Sequence, residues 1–205
     1  MQTIKLDETK PELAAKILQE GKVLAFPTET VYGLGVVYDD KNAFDKLVET
    51  KKRPPNKPFA LMCSSLEEAF KYVDVSNKAK KVMEKFLPGE ITVLVKAKKD
   101  LPIWVTLGTG VIGIRVPDDD YIHRLFTLVG KPCLVTSANM SGDPTSRDYA
   151  EVLAKFDGKC PAIVKGECVS NTPSTIINLA NDDTISLVRE GPVPFKKIEE
   201  FWRNL

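Results

Sequence analysis

Lys51 and Arg53 stand two residues apart and lead into Pro54-Pro55-Asn56-Lys57-Pro58, a stretch stiffened by proline. Cations on such a frame could clamp a triphosphate, arginine through a bidentate fork and lysine as a point charge. They would equally complement the dipole at a helix end. A second polar run, Thr136-Ser137-Ala138-Asn139-Met140-Ser141-Gly142-Asp143-Pro144-Thr145, directly follows an apolar stretch. Its side chains supply neutral donors, and a tight turn there can aim successive N–H groups at an anion. Ordinary Asx and Ser/Thr turns use the same residues. A third run, Pro27-Thr28-Glu29-Thr30-Val31-Tyr32-Gly33-Leu34-Gly35, brings two hydroxyls, a carboxylate and a phenol to the end of another apolar stretch. Ligands of α/β sheets bind at strand ends, although threonine-capped turns and glycines at positive φ explain the run as well. Pro173-Ser174-Thr175, Arg189-Glu190-Gly191 and Gly113-Ile114-Arg115-Val116-Pro117 complete the set. An arginine among Ile and Val is usually paired or bound to an anion. Cations and hydroxyls recur, yet no histidine or carboxylate pair accompanies them. That favours electrostatic catalysis on phosphate over acid–base hydrolysis. With no Walker phosphate loop and no glycine-rich dinucleotide fingerprint, a nucleotide would be held unconventionally.

These residues need elements to position them, and the hydropathy pattern supplies an alternation. Strands are expected at 4–6, 23–26, 59–63, 91–96, 112–116, 133–136, 162–164, 175–179 and 185–188. Between them, Leu13, Ala14, Ile17 and Leu18 mark one helical face, opened by a Thr9–Glu12 capping box and stopped at Gly21. Ala43, Phe44, Leu47 and Val48 mark a second helix that ends near Arg53-Pro54-Pro55. Ser65 with Glu68 opens another helix. Ala79, Val82, Met83, Phe86 and Leu87 line the next, which Pro88-Gly89 breaks. Asp118–Asp120 sit at the start of a further helix, and 195–202 form a terminal helix or turn. Strands alternating with helices imply one α/β domain around a mixed sheet, with no linker or repeat to divide it.

Composition sets the bounds. The 205 residues are 43% hydrophobic and 28% charged, which excludes disorder and a disulfide scaffold. Apolar runs such as Ile91–Val95 fall far short of the roughly 20 residues a membrane span needs. The N-terminus has no apolar core of a signal peptide, so a cytoplasmic location is expected. Lys plus Arg (29) nearly balance Asp plus Glu (28), and bulk charge therefore argues for no nucleic-acid partner. Any anion site must come from local clustering. The four cysteines form no close pair and His123 is the one histidine, so no zinc site is expected. Cys63 and Cys133 read as small buried hydrophobes, and His123 as a structural residue of its helix.

Taken in order, these segments resemble the YrdC-like family, the threonylcarbamoyl-AMP synthases. The resemblance covers about Pro11 to Val193 and rests on the runs at 27–35, 113–117, 136–142 and 173–175. It rests also on Lys51, Arg53 and Pro54, on Pro88-Gly89 before a strand, and on Arg189 and Gly191. It implies a twisted mixed sheet with helices around a large, electropositive cavity. The implied reaction joins L-threonine, bicarbonate and ATP into L-threonylcarbamoyl-AMP and pyrophosphate. The product feeds the t6A modification of tRNA adenosine 37, completed by separate transferase proteins. Lys51, Arg53, Ser137 and Asn139 match the family's signature residues and would be catalytic. Arg53, Lys57, Ser137, Thr145 and Arg189 would contact ATP, with Mg²⁺ bridging its phosphates. Thr30, Arg115 and Ser174 would hold threonine, and no protein metal site is implied. Many members carry Asn-Pro-Leu where this chain has Lys57-Pro58-Phe59. Longer members add a C-terminal domain, so the short single-domain form is expected, without any lid such a domain supplies. The alternatives are a module that grips tRNA or double-stranded RNA without chemistry, and a family paralogue with another role.

Overall fold

The computed structural model describes residues 2–54, 56–181 and 184–205. In chain order the elements are β1 (Ile4–Asp7), α1 (Pro11–Gln19), β2 (Leu24–Phe26), β3 (Gly33–Val37), α2 (Lys41–Lys51), β4 (Ala60–Met62), α3 (Leu66–Ala69), α4 (Asn77–Phe86) and β5 (Ile91–Lys96). They continue with α5 (Ile103–Thr106), β6 (Val111–Arg115), α6 (Asp120–Val129), β7 (Cys133–Ser137), α7 (Tyr149–Phe156), β8 (Ala162–Lys165), β9 (Thr175–Asn178), β10 (Ser186–Arg189) and α8 (Phe195–Arg203). The strands form one mixed sheet in the order β1-β8-β2-β3-β7-β4-β6-β5-β9-β10. The expected α/β class and mixed sheet are therefore present.

Strand alternation divides the core into two layers. Ala25, Leu34, Leu61, Val93, Ile114 and Leu134 belong to a large apolar cluster on one face. Leu24, Phe26, Met62 and Val135 face the other way and pack with residues of α1 and α6. Helix starts follow local chemistry: Ser65, Ser76, Asp119 and Asp148 each cap a helix by accepting a backbone N–H. The expected Thr9–Glu12 capping box does not form. Asp7 Oδ1 instead accepts both the Thr9 N–H and its hydroxyl, and α1 starts at Pro11, whose fixed φ suits the first helical position. Lys52 ends α2 in the left-handed region, at φ 50°; Pro55, expected to help end that helix, lies outside the described residues.

The largest departure is β3. The polar, glycine-punctuated run 27–35 reads as a turn to its end, yet Gly33–Val37 is a buried strand near the centre of the sheet. Neither Gly33 nor Gly35 has positive φ. A Cβ at Gly35 would lie 2.8 Å from the Phe26 ring, so these glycines exist to admit that ring rather than to make a turn. Helix α7 was likewise not expected.

Candidate functional site

The cavity occupies the sheet face opposite the large apolar cluster, where every second strand residue points: Ala60 and Met62, Thr92 and Leu94, Gly113 and Arg115. Gly113 deepens it, since a Cβ there would meet Leu94, Thr92 and Ala60. Its volume is about 230 Å³. That suits an amino acid more than a nucleotide and is smaller than the large cavity expected. Arg53, Arg115 and Arg189 line it, and no carboxylate among the described residues does, so it is electropositive.

Arg115 ends β6 and is 8% exposed. Its Nη2 lies 3.0 Å from Glu29 Oε2 and donates to Thr30 Oγ1 in a short hydrogen bond, with Thr28 Oγ1 at 3.4 Å. The Thr28 hydroxyl is pinned by the Val31 carbonyl at 2.8 Å. Burial raises the Glu29 carboxyl, against the pull of Arg115. The arginine inside an apolar strand is thus ion-paired from behind and still reaches the cavity.

Lys51 is 2% exposed. Its ammonium donates to the Ser137 carbonyl and to Asn139 Oδ1, both at 2.5 Å, with Ser137 Oγ at 3.4 Å. Ser137 Oγ donates to Asn139 Oδ1 at 2.6 Å, and the Asn139 amide donates to the Asp143 carbonyl at 2.7 Å. Ala138 N–H bonds to the Tyr32 carbonyl at 2.7 Å. Three of the four signature residues, Lys51, Ser137 and Asn139, are therefore one network, and Arg53 stands beside it. Burial first, then the charges of Arg53 and Lys155, bring Lys51 down to about 7. Arg53 is held by the carbonyls of Lys57 and Pro58, each at 2.7 Å, and lies 4.6 Å from the Phe59 ring centre.

Across the cavity, Ser174 shares a hydrogen bond with Thr92 Oγ1 at 2.8 Å. Arg189 grips the Ser174 carbonyl with Nη2 at 2.7 Å and Nε at 3.1 Å. Gly191 makes this possible. A Cβ there would fall inside contact distance of the backbone at Pro173, Ser174 and Thr175. Gly191→Ala is therefore expected to push β10 off residues 173–175. The check is a lowered melting temperature, by about 2 °C or more for a loss of about 1–3 kcal/mol.

Arg115, Arg53, Ser137, Ser174 and Arg189 line one cavity, with Lys51 and Asn139 directly behind Ser137. Three expected contacts need correction. Thr30 is hydrogen-bonded to Arg115 but is not on the cavity wall, where the equally buried Thr28 stands instead. The Lys57 side chain is exposed, so this residue contributes its carbonyl to Arg53. Thr145 lines a neighbouring recess that meets the cavity at Pro173. Glu29 and Tyr32 were named only as members of the polar run 27–35, and Thr92 was not singled out. Thr92 interrupts an apolar strand just as Arg115 does, and that signal could have found it. His123 is exposed on α6, with Nδ1 3.0 Å from the Ser64 carbonyl.

The family described as "Sua5_yciO_yrdC: Telomere recombination" matches residues 16–191. A protein of Methanocaldococcus jannaschii, named a putative threonylcarbamoyl-AMP synthase, is 36% identical over 95% of each chain. The threonylcarbamoyl-AMP synthase of Pyrococcus abyssi is 32% identical over 96% of this chain, which spans 58% of that relative's length. Among solved structures, P. abyssi Sua5 complexed with L-threonine superposes with a TM-score of 0.90 at 31% identity, covering 98% of this chain and 61% of that one. Escherichia coli YciO superposes with a TM-score of 0.86 at 30% identity, covering 96% of this chain and 98% of that one.

Proposed function

The chain belongs to the Sua5/YciO/YrdC family, and on that premise we propose that it is an L-threonylcarbamoyl-AMP synthase acting as a single domain of residues 1–205. The observation that carries the reading is the convergence of three arginines on an amino-acid-sized cavity that Ser137, and behind it Lys51 and Asn139, border on one side. Threonine enters with its carboxylate on Arg115, whose remaining donors suit a carboxylate. The Thr92–Ser174 hydroxyl pair meets its hydroxyl, and Leu94 and Ile176 meet its methyl. The P. abyssi Sua5 complex with L-threonine supports this substrate.

The α-amine condenses with bicarbonate, losing water, to give a carbamate. A carbamate oxygen then attacks the α-phosphorus of ATP. The bond to the pyrophosphate oxygen breaks, and pyrophosphate leaves with the electron pair. Charge develops on phosphoryl oxygens, so Arg53, Arg189 and the Ser137 donors act by preorganised electrostatics. The nucleotide lies across the cavity mouth toward the Thr145 recess and brings its own Mg²⁺ on the phosphates. The sheet wall shields the carbamate from water. The product would serve t6A formation at tRNA adenosine 37 through a downstream transferase. No helix is long and apolar enough to cross a membrane among the described residues.

The test is pyrophosphate release from the pure protein supplied with ATP, threonine and bicarbonate. Release must require all three and fall when serine replaces threonine. Release that ignores threonine sinks the reading. A folded protein that releases nothing would favour a family paralogue with another role, and salt-sensitive RNA retention without adenylate the RNA-gripping alternative. Arg53→Ala and Ser137→Ala are each expected to lower turnover by about 10²–10³-fold while shifting the melting temperature by under about 3 °C. Loss of folding instead would make both residues structural.

A further inference from the structure

Behind Arg115, on the far side of Glu29, lies a second recess of about 380 Å³. Glu8, Glu29, Asp118, Asp119 and Asp120 line it, against one cation, Arg124. The crowding is felt: Glu8 and Asp119 are both raised, by burial first and neighbouring carboxylates after it. Two polar atoms in the wall are buried without a hydrogen bond, although the other oxygen of Glu29 faces Arg115 at 3.0 Å. Glu29 is 6% exposed, and its Oε1 has no hydrogen bond; Tyr121 is 8% exposed, and its hydroxyl has none. A buried carboxylate oxygen and a buried phenol left unbonded each cost free energy that a donor ligand would recover.

We propose that this recess binds a linear polyamine, its primary alkylammonium groups seated on the Glu29 and Asp119 carboxylates. The occupant needs positive charge, because even with Glu29 paired to Arg115 the lining carries four further carboxylates against the single Arg124. It needs length, because the carboxylates are spread round the recess and no three of the described ones converge on a metal position. It needs an apolar stem, and Val169, 82% exposed, lies on the wall to meet one. An ammonium offers three donors, enough for a carboxylate and a further oxygen of the wall.

The experiment is calorimetric titration of the full chain with spermidine, n-butylammonium and Mg²⁺ at a fixed ionic strength near 0.15 M, with no substrate present. Spermidine is expected to bind at least tenfold more tightly than n-butylammonium, and equimolar Mg²⁺ should not displace it. Glu29→Gln and Asp119→Asn should each weaken spermidine by tenfold or more. The second variant keeps the helix cap, since asparagine caps as well as aspartate, and so decides the matter even if the first does not fold. No spermidine binding, equal binding of n-butylammonium, displacement by Mg²⁺, or unchanged affinity in the folded variants would each overturn the proposal.

Discussion

Replacing Arg115 by alanine is expected to lower threonine-dependent turnover by about 10²–10³-fold and also to destabilise the fold by about 3–5 kcal/mol. Both follow from one geometry. Truncating one member of a buried, hydrogen-bonded charge pair costs about 2–5 kcal/mol in binding, and the proposed threonine carboxylate would lose its only deep cation. Meanwhile Glu29, 3.0 Å from Arg115 and nearly as buried, is left as an uncompensated charge. The two losses separate in the double variant. Arg115→Ala with Glu29→Gln should regain most of the melting temperature, because no buried charge remains, while turnover stays low. If the double variant stays as unstable as the single one, the ion pair is not what holds this corner. If the single variant turns over normally, Arg115 does not hold the substrate.

Lys51→Met carries the second large effect, about 10²–10³-fold in turnover, with a different stability signature. The Lys51 pKa is about 7 in the fold, against about 10.4 in an unfolded chain. Between these values the unfolded state binds more protons, so this group's contribution to stability rises with pH from about 7 to 10, by at most about 1.4 kcal/mol per unit. Below 7 its full penalty is present. Lys51→Met should therefore melt at or above the wild type at pH 6, and its advantage should shrink toward pH 9. In the free enzyme, kcat/KM for ATP should fall as pH rises through 7 and Lys51 loses its charge. A Lys51→Arg variant, charged throughout, should lack that falling limb. A limb that survives in Lys51→Arg would assign it to another group.

Much of this site can be read from residue types because its chemistry breaks local patterns. Arg115 stood out as a charge between Ile114 and Val116, and it is indeed paired and facing a cavity. The strand 91–96 was legible as an apolar run, and 195–202 as a terminal helix or turn, of which the helix is what forms. What stayed hidden depends on contacts between distant residues. Gly33 and Gly35 look like turn formers until the Phe26 ring is seen filling the space above them. Thr28 and Thr30 are two apart in one polar run; only the fold decides that the first stands on the cavity wall and the second bonds to Arg115 away from it. Thr145 lies beyond Pro173, a boundary no spacing announces. Helix α7 is different, since its signal was present: Asp148 is a good cap, and Val152 and Phe156 mark one face. The turn-like run before it drew attention away.

The cavity's walls come from residues as far apart as Thr28 and Arg189. During synthesis the chain emerges N-terminus first, so the basin cannot close until β10 has left the ribosome and seated against β9. A nascent or truncated chain lacking those last strands has Lys51, Arg53 and Arg115 in hand but nothing to hold a ligand between them. Substrate can therefore stabilise only a chain that includes β10, by mass action on the folded state, and its protection against proteolysis should appear abruptly with chain length rather than grow in proportion to it.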